Sequence, residues 1–225
     1  MFRRFIIAID GPAGSGKSTS AKLVAQRLNF LYIDTGAMYR AITHLALKNN
    51  ILNDIEKVTQ LAESSSLKLE FVDGKTHIFA DGINLTDEIR SPEVNAHVSD
   101  VSKIPGVRSA LVKKQREMAL SHNGVVMEGR DIGTVVFPDA DVKIYLTASI
   151  DERSNRRAKE YAEQGKDIPL EKIRENLIQR DKIDSSRDVA PLTKAQDAIE
   201  VDTSNITIDE QVEIILKHVK NKLKN

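Results

Sequence analysis

Residues Gly11-Pro12-Ala13-Gly14-Ser15-Gly16-Lys17-Ser18 satisfy the spacing G-x-x-x-x-G-K-[ST] at every fixed position. The residue types suit one chemistry, the holding of a polyphosphate. Glycines let consecutive backbone N–H groups turn inward around phosphate oxygens, and a helix opening at the end of the loop adds its positive dipole. Lys17 supplies a mobile point charge for the β and γ phosphates, and the Ser18 hydroxyl can ligate the Mg²⁺ that accompanies ATP. With Thr19 the loop provides a complete ATP-binding run from Gly11. Such a loop serves kinases and nucleotide switches alike, so it does not choose between them. The base-reading N-K-x-D motif of GTPase switches is absent.

The elements that must position this loop are legible around it. Phe5 to Ile9 is a short apolar run suited to a strand buried on both faces, and a helical pattern starts near Ser18. Further short apolar runs at Leu31–Ile33, Val125–Met127, Val142–Leu146 and Ile199–Val201 alternate with helical stretches. These cover Ala37–Lys48, Asp54–Glu63, Pro92–Val101, Pro105–Ser121, Ile150–Ala162, Leu170–Lys182 and Ile208–Leu223. That alternation predicts an α/β, three-layer P-loop fold with a parallel central sheet. An irregular stretch is expected from the end of the Leu170 helix to about Lys194. Leu67–Val72 instead alternates with period two into Asp73-Gly74, a hairpin signal. Thr76–Ala80 and Ile83–Leu85 supply the next strands, as a small antiparallel β insertion or as an extension of the main sheet.

Three more segments stand where strands end or helices turn. They are Asp34-Thr-Gly-Ala-Met-Tyr-Arg40, Glu128-Gly-Arg-Asp-Ile-Gly-Thr-Val-Val-Phe-Pro138 and Arg180-Asp-Lys-Ile-Asp-Ser-Ser-Arg-Asp-Val-Ala-Pro-Leu192. With the phosphate loop they resemble bacterial-type cytidylate kinase over nearly the whole chain. The resemblance implies a P-loop core of about 1–34, 105–150 and 195–225. It also implies a monophosphate-binding region of about 35–104 that contains the β insertion, and a helical lid of about 151–194. It implies transfer of the γ-phosphoryl group of ATP to CMP, and to dCMP, with Mg²⁺. Thr35, Arg108 and Asp131 would read the cytosine. Arg40 and Arg130 would hold the acceptor phosphate beside Tyr39. Ser99, Arg180 and Asp184 would contact the ribose, and Arg187 would shape the pocket. Arg153, Arg156 and Arg157 would belong to the lid, and Lys17, Arg130, Arg156 and Arg157 would carry the catalysis. Glu128 stands where the family often has aspartate, and whether it or Asp131 helps to position the metal stays open.

The assignment makes chemical sense. Cytosine offers an amino donor at N4 and an acceptor at N3, matching a carboxylate at Asp131 and a guanidinium at Arg108; uracil reverses both. Arginines around a dianionic phosphate make bidentate contacts and screen its repulsion from ATP. The attacking oxygen is already charged, so no general base is required. Ordinary alternatives exist for several residues. Asp131 could cap a helix, Asp181 and Asp184 could pair with neighbouring arginines, and the Arg153, Arg156, Arg157 group follows helical spacing on a solvated face.

Composition bounds the rest. The 225 residues suit one compact α/β unit, and 40% are hydrophobic. Lys plus Arg equals Asp plus Glu at 33 each, and aromatic residues are only 4%, which argues against nucleic acid as a partner. The absence of cysteine excludes disulfides and thiolate chemistry. No run approaches the roughly 20 apolar residues of a membrane helix. The reading is a cytoplasmic protein, monomeric, without membrane partners.

Overall fold

The computed structural model describes residues 4–72, 75–163 and 165–224. Eight strands and eight α-helices follow one another among them. The first half contains β1 (Phe5–Asp10), α1 (Lys17–Leu28), β2 (Leu31–Asp34), α2 (Thr35–Lys48) and α3 (Ile55–Ser64). It continues with β3 (Leu67–Val72), β4 (Lys75–Ala80), β5 (Ile83–Asn84) and α4 (Pro92–Val101). The second half contains α5 (Pro105–Leu120), β6 (Gly124–Gly129), β7 (Val142–Thr147), α6 (Ile150–Glu163), α7 (Leu170–Ser186), β8 (Ile199–Asp202) and α8 (Ile208–Leu223).

Five strands form one parallel sheet in the order β2-β6-β1-β7-β8. Its two faces take alternate side chains, as the pleat requires. Ile7, Ile9, Val126 and Ile144 pack with Val24 of α1 and Val212, Ile215 and Val219 of α8. Ala8, Val125 and Met127 pack on the other face with Ile33, Ala119 of α5 and Ile132. Continuous apolar strands are therefore explained by helices on both sides.

The strands β3, β4 and β5 form a separate antiparallel sheet, so they do not extend the main one. Register runs from Leu67 opposite Ala80 to Val72 opposite Lys75. The Asp73-Gly74 turn lies outside the described residues. This sheet buries Leu67, Ile78 and Ala80 against α2, α3 and α5, and Phe71 meets Tyr32 edge-on at 5.3 Å.

One expectation needs correction, and one element was not foreseen. The helix expected to stop at Lys182 continues to Ser186, so the irregular stretch is shorter. Asp184-Ser-Ser are weak helix formers, but α7 carries Arg180 and Asp184 buried on one face, and tertiary burial overrides propensity there. The residues after Glu128-Gly-Arg-Asp, Ile132–Val136, form a π turn that no sequence signal announces. Among the described residues no helix is long and apolar enough to cross a membrane.

Candidate active site

The parallel order brings the carboxyl ends of β1, β2 and β6 side by side, where α/β sheets hold ligands. A cleft of about 640 Å³ opens there. Ala13, Gly14, Gly16, Lys17, Ser18 and Thr19 of the phosphate loop line it. Gly11, Pro12 and Ser15 are buried beneath them. Gly11 has φ 150°, and a β-carbon there would stand 2.0 Å from the Leu146 carbonyl oxygen, so only glycine fits this approach. Gly14 and Gly16 also take positive φ, 78° and 87°, turning the loop into α1, whose first residue is Lys17.

Lys17 is 5% exposed and donates from Nζ to the Pro12 carbonyl at 2.7 Å. Burial, then the neighbouring Arg130, lowers its ammonium to about 7. A bound polyphosphate would supply the negative charge that restores the proton. Beside it, Glu128 at the end of β6 accepts from the Tyr32 hydroxyl at 2.5 Å and bonds Ser18, and burial followed by Asp34 raises its carboxyl. Asp34 itself caps α2 by accepting from Ala37 N–H at 3.0 Å.

The rest of the cleft is built from α2, α4, α5, α7 and the residues after β6. Thr35, Tyr39, Arg40, Ser99, Arg108 and Arg130 line it, as do Asp131, Arg180, Asp184 and Arg187. The Thr35 hydroxyl donates to the Glu128 carbonyl at 2.7 Å, joining α2 to β6. Asp131 does not cap the turn after it with its side chain. Its carboxylate pairs with Arg108, and both are buried. Arg108 also donates to the Ser102 carbonyl at 3.1 Å and lies over the Tyr39 ring at 5.5 Å. Burial pushes the Tyr39 hydroxyl up to about 12, so it stays protonated. Arg187 Nη2 has no hydrogen-bond partner and stands 3.8 Å from Asp131 Oδ1.

Deeper in the cleft positive charge is crowded. Arg130 Nε pairs with Asp184 Oδ2 at 2.9 Å. Burial alone would raise Asp184, but the Arg130 charge and hydrogen bond outweigh it and hold the carboxyl below its usual range. Arg180 is 8% exposed with its Nε unpartnered, and burial, then Arg40 and Arg130, lowers it to about 9. Arg40 is lowered for the same reasons, burial first and the charges of Arg157, Arg130 and Arg90 after it. Buried guanidiniums that repel one another fit an anion between them.

The arginines of α6 divide. Arg153 is 7% exposed and does not line the cleft. It donates to the carbonyls of Ala148 and Ala13 and pairs with Asp181 at 2.7 Å, tying α6 and α7 to the phosphate loop. Arg156 does line the cleft, held by Glu152 at 2.8 Å and by the Thr203 carbonyl at 2.6 Å. Arg157 lines it too, paired with Glu160 at 2.7 Å. Arg90 and Asn95, which sequence reasoning missed, also reach the cleft. They sit in an ordinary charged connector and helix start, and nothing in their local pattern marks them out.

The chain is similar to known proteins along nearly its whole length. Residues 7–221 match the family described as Cytidylate kinase. The cytidylate kinase of Desulforamulus reducens is 53% identical over 216 residues, 95% of this chain and 96% of its own. That of Clostridioides difficile strain 630 is 49% identical over 215 residues, 95% of this chain and 97% of its own. An uncharacterized protein from Eubacterium ventriosum superposes with a TM-score of 0.53 over 97% of this chain and 99% of its own, at 13% identity, a likeness of fold alone.

Proposed function

The chain belongs to the cytidylate kinase family and phosphorylates CMP with ATP, and we propose how its cleft divides that work. One observation carries the division: the phosphate loop and a group of buried and half-buried arginines line a single cleft. ATP phosphates take the loop, with Lys17 on the β and γ groups and the backbone from Gly11 to Thr19 around them. The CMP phosphate takes Arg40 and Arg130, beside Tyr39. Ser99, Arg180 and Asp184 face the ribose, and dCMP is accepted as well as CMP. Thr35, Arg108 and Asp131 read the base, with Arg187 behind the carboxylate.

In the reaction an oxygen of the CMP phosphate attacks the γ-phosphorus of ATP, and the bond from that phosphorus to the β–γ bridging oxygen breaks, giving CDP and ADP. The protein's share is placement and charge. Lys17, Arg130, Arg156 and Arg157 neutralise charge on the transferring group. The helices α6 and α7 share a small apolar cluster in which Ile150, Ala158 and Tyr161 of α6 join Ile173 and Leu177 of α7 and Ala13 of the phosphate loop, which supports their acting as a lid over the phosphates. A closed lid would keep water from taking the phosphoryl group.

The donor set near Ser18 fits Mg²⁺, because the groups that converge there, the Ser18 hydroxyl and the Glu128 carboxylate, are oxygens. Among the described residues no cluster of three histidine or acidic side chains is built for a metal. The remaining ligands of a magnesium ion would be phosphate and water. Bound there, the ion would supply positive charge that offsets the negative charge of the phosphates. Chelation with excess EDTA should reduce ADP formation to background and added Mg²⁺ should restore it. Undiminished turnover in EDTA would refute the magnesium assignment.

The most exposed large apolar side chains among the described residues, Ile55, Ile83, Leu120 and Leu223, lie on four different elements, which supports a monomer. Neutral net charge supports a role without nucleic acid. A cytoplasmic setting, away from membranes, suits its nucleotide substrates.

A further inference from the structure

The turn that carries Asp131 is gripped at both ends by side chains that do not line the cleft. At its start, Ile132 N–H donates to Asp10 Oδ1 and Gly133 N–H to Asp10 Oδ2, each at 2.8 Å. At its end, Arg116 Nε donates to the Val136 carbonyl at 2.9 Å and Nη2 to the Val135 carbonyl at 2.8 Å. Between these grips the Asp131 carbonyl accepts from Val135 N–H at 2.9 Å and Val136 N–H at 3.1 Å, closing the turn on itself.

Asp10 is the last residue of β1, immediately before the phosphate loop, and is 5% exposed. Its burial is unfavourable: desolvation raises its carboxyl to about 6 against the opposing hydrogen bonds from Gly133 and Ile132. An apolar side chain would fill the same space without that cost, so the two hydrogen bonds, with a negative charge near Lys17, are what the carboxylate adds. Arg116 lies on α5, the helix that also carries Arg108. The buried Arg108–Asp131 pair therefore has both members referenced to one frame. Arg108 is placed by α5 directly, and Asp131 by a turn pinned to α5 through Arg116 and to β1 through Asp10.

We propose that Asp10 and Arg116 are positioning residues that aim the Asp131 carboxylate at the pyrimidine, and so set the preference for cytosine over uracil. The inference rests on the assignment of Asp131 as base reader. It also ties that aim to the strand from which the phosphate loop springs.

The experiment is steady-state kinetics with CMP and with UMP on wild type, Asp10→Asn, Arg116→Ala and Asp131→Asn, with thermal unfolding alongside. The amide introduced by Asp10→Asn accepts only one of the two N–H bonds, so KM for CMP should rise and the CMP:UMP ratio of kcat/KM should fall, each by ~10-fold; the ratio is the readout because the lost charge near Lys17 acts on both acceptors alike. Arg116→Ala, at an exposed side chain, should shift the ratio the same way by less. A purely structural role would lower the unfolding temperature and leave the ratio alone. If Asp131→Asn loses discrimination while a folded Asp10→Asn keeps it, the positioning role is overturned and the base-reading assignment stands. If Asp131→Asn keeps full discrimination, the base-reading assignment falls and takes this inference with it. Should Asp10→Asn fail to fold, Arg116→Ala decides, and an unchanged ratio there overturns the proposal.

Discussion

Replacing Lys17 by methionine should lower kcat by a factor of at least about 10²–10³, the range seen when one preorganised charge-stabilising donor is removed. The side chain keeps its length and apolar stem and loses only the ammonium. That ammonium is buried in the ligand-free protein, where its hydrogen bond goes to the Pro12 carbonyl. Desolvation, followed by repulsion from Arg130, already lowers it to about 7. Removing it therefore relieves an electrostatic burden on the fold while taking away the charge that we propose faces the transferring phosphoryl group. Thermal unfolding should occur at the wild-type temperature or above, which separates lost catalysis from lost structure. A kcat within tenfold of wild type would remove Lys17 from the mechanism.

Replacing Asp131 by asparagine should collapse the choice between CMP and UMP. A site that pairs buried polar groups with its substrate can reject a mismatched analogue by ~10⁴. An asparagine amide presents both a donor and an acceptor, so uracil O4 gains a partner where it had met a carboxylate. The ratio of kcat/KM values should fall to within about tenfold, with most of the change from weaker CMP and better UMP. Both changes remove the ion pair of the buried Arg108 guanidinium, but alanine is the poorer test because it also removes the acceptor that asparagine keeps for it. Competitive turnover of a CMP and UMP mixture reads the ratio directly. Retention of the wild-type preference would assign base reading elsewhere in the cleft.

The parts of this molecule that were legible in sequence are those whose cause is local. The phosphate loop announces itself because glycines at Gly11, Gly14 and Gly16 are demanded by backbone geometry at those positions. Buried strands and amphipathic helices show in their periodicity, and α4 and α8 have the predicted ends. Thr207 and Glu210, which close a capping box before α8, show why its start was sharp.

What escaped is set by contacts between distant segments. Asp10 reads in sequence as the residue that ends an apolar strand, yet its two partners lie 122 and 123 residues away. Arg153 looks like its neighbours Arg156 and Arg157 at helical spacing, but its side chain turns inward to Asp181 and the loop carbonyl of Ala13. The last turn of α7 persists against its own composition because Asp184 is buried beside Arg130. Arg90 gains its meaning only when the connector after the small sheet is folded over the cleft beside Arg40. In each case the residue type was visible and the partner was not.

The central claim is that one cleft joins an ATP-binding loop to a pocket that selects CMP. The most direct measurement is ADP formation from MgATP with CMP, dCMP, UMP, AMP and GMP offered separately. The account predicts strong stimulation by CMP and dCMP, with UMP far behind and the purine nucleotides near background. Equal rates with CMP and UMP would contradict the base-reading pocket, and an ADP yield that no monophosphate raised would contradict the account as a whole.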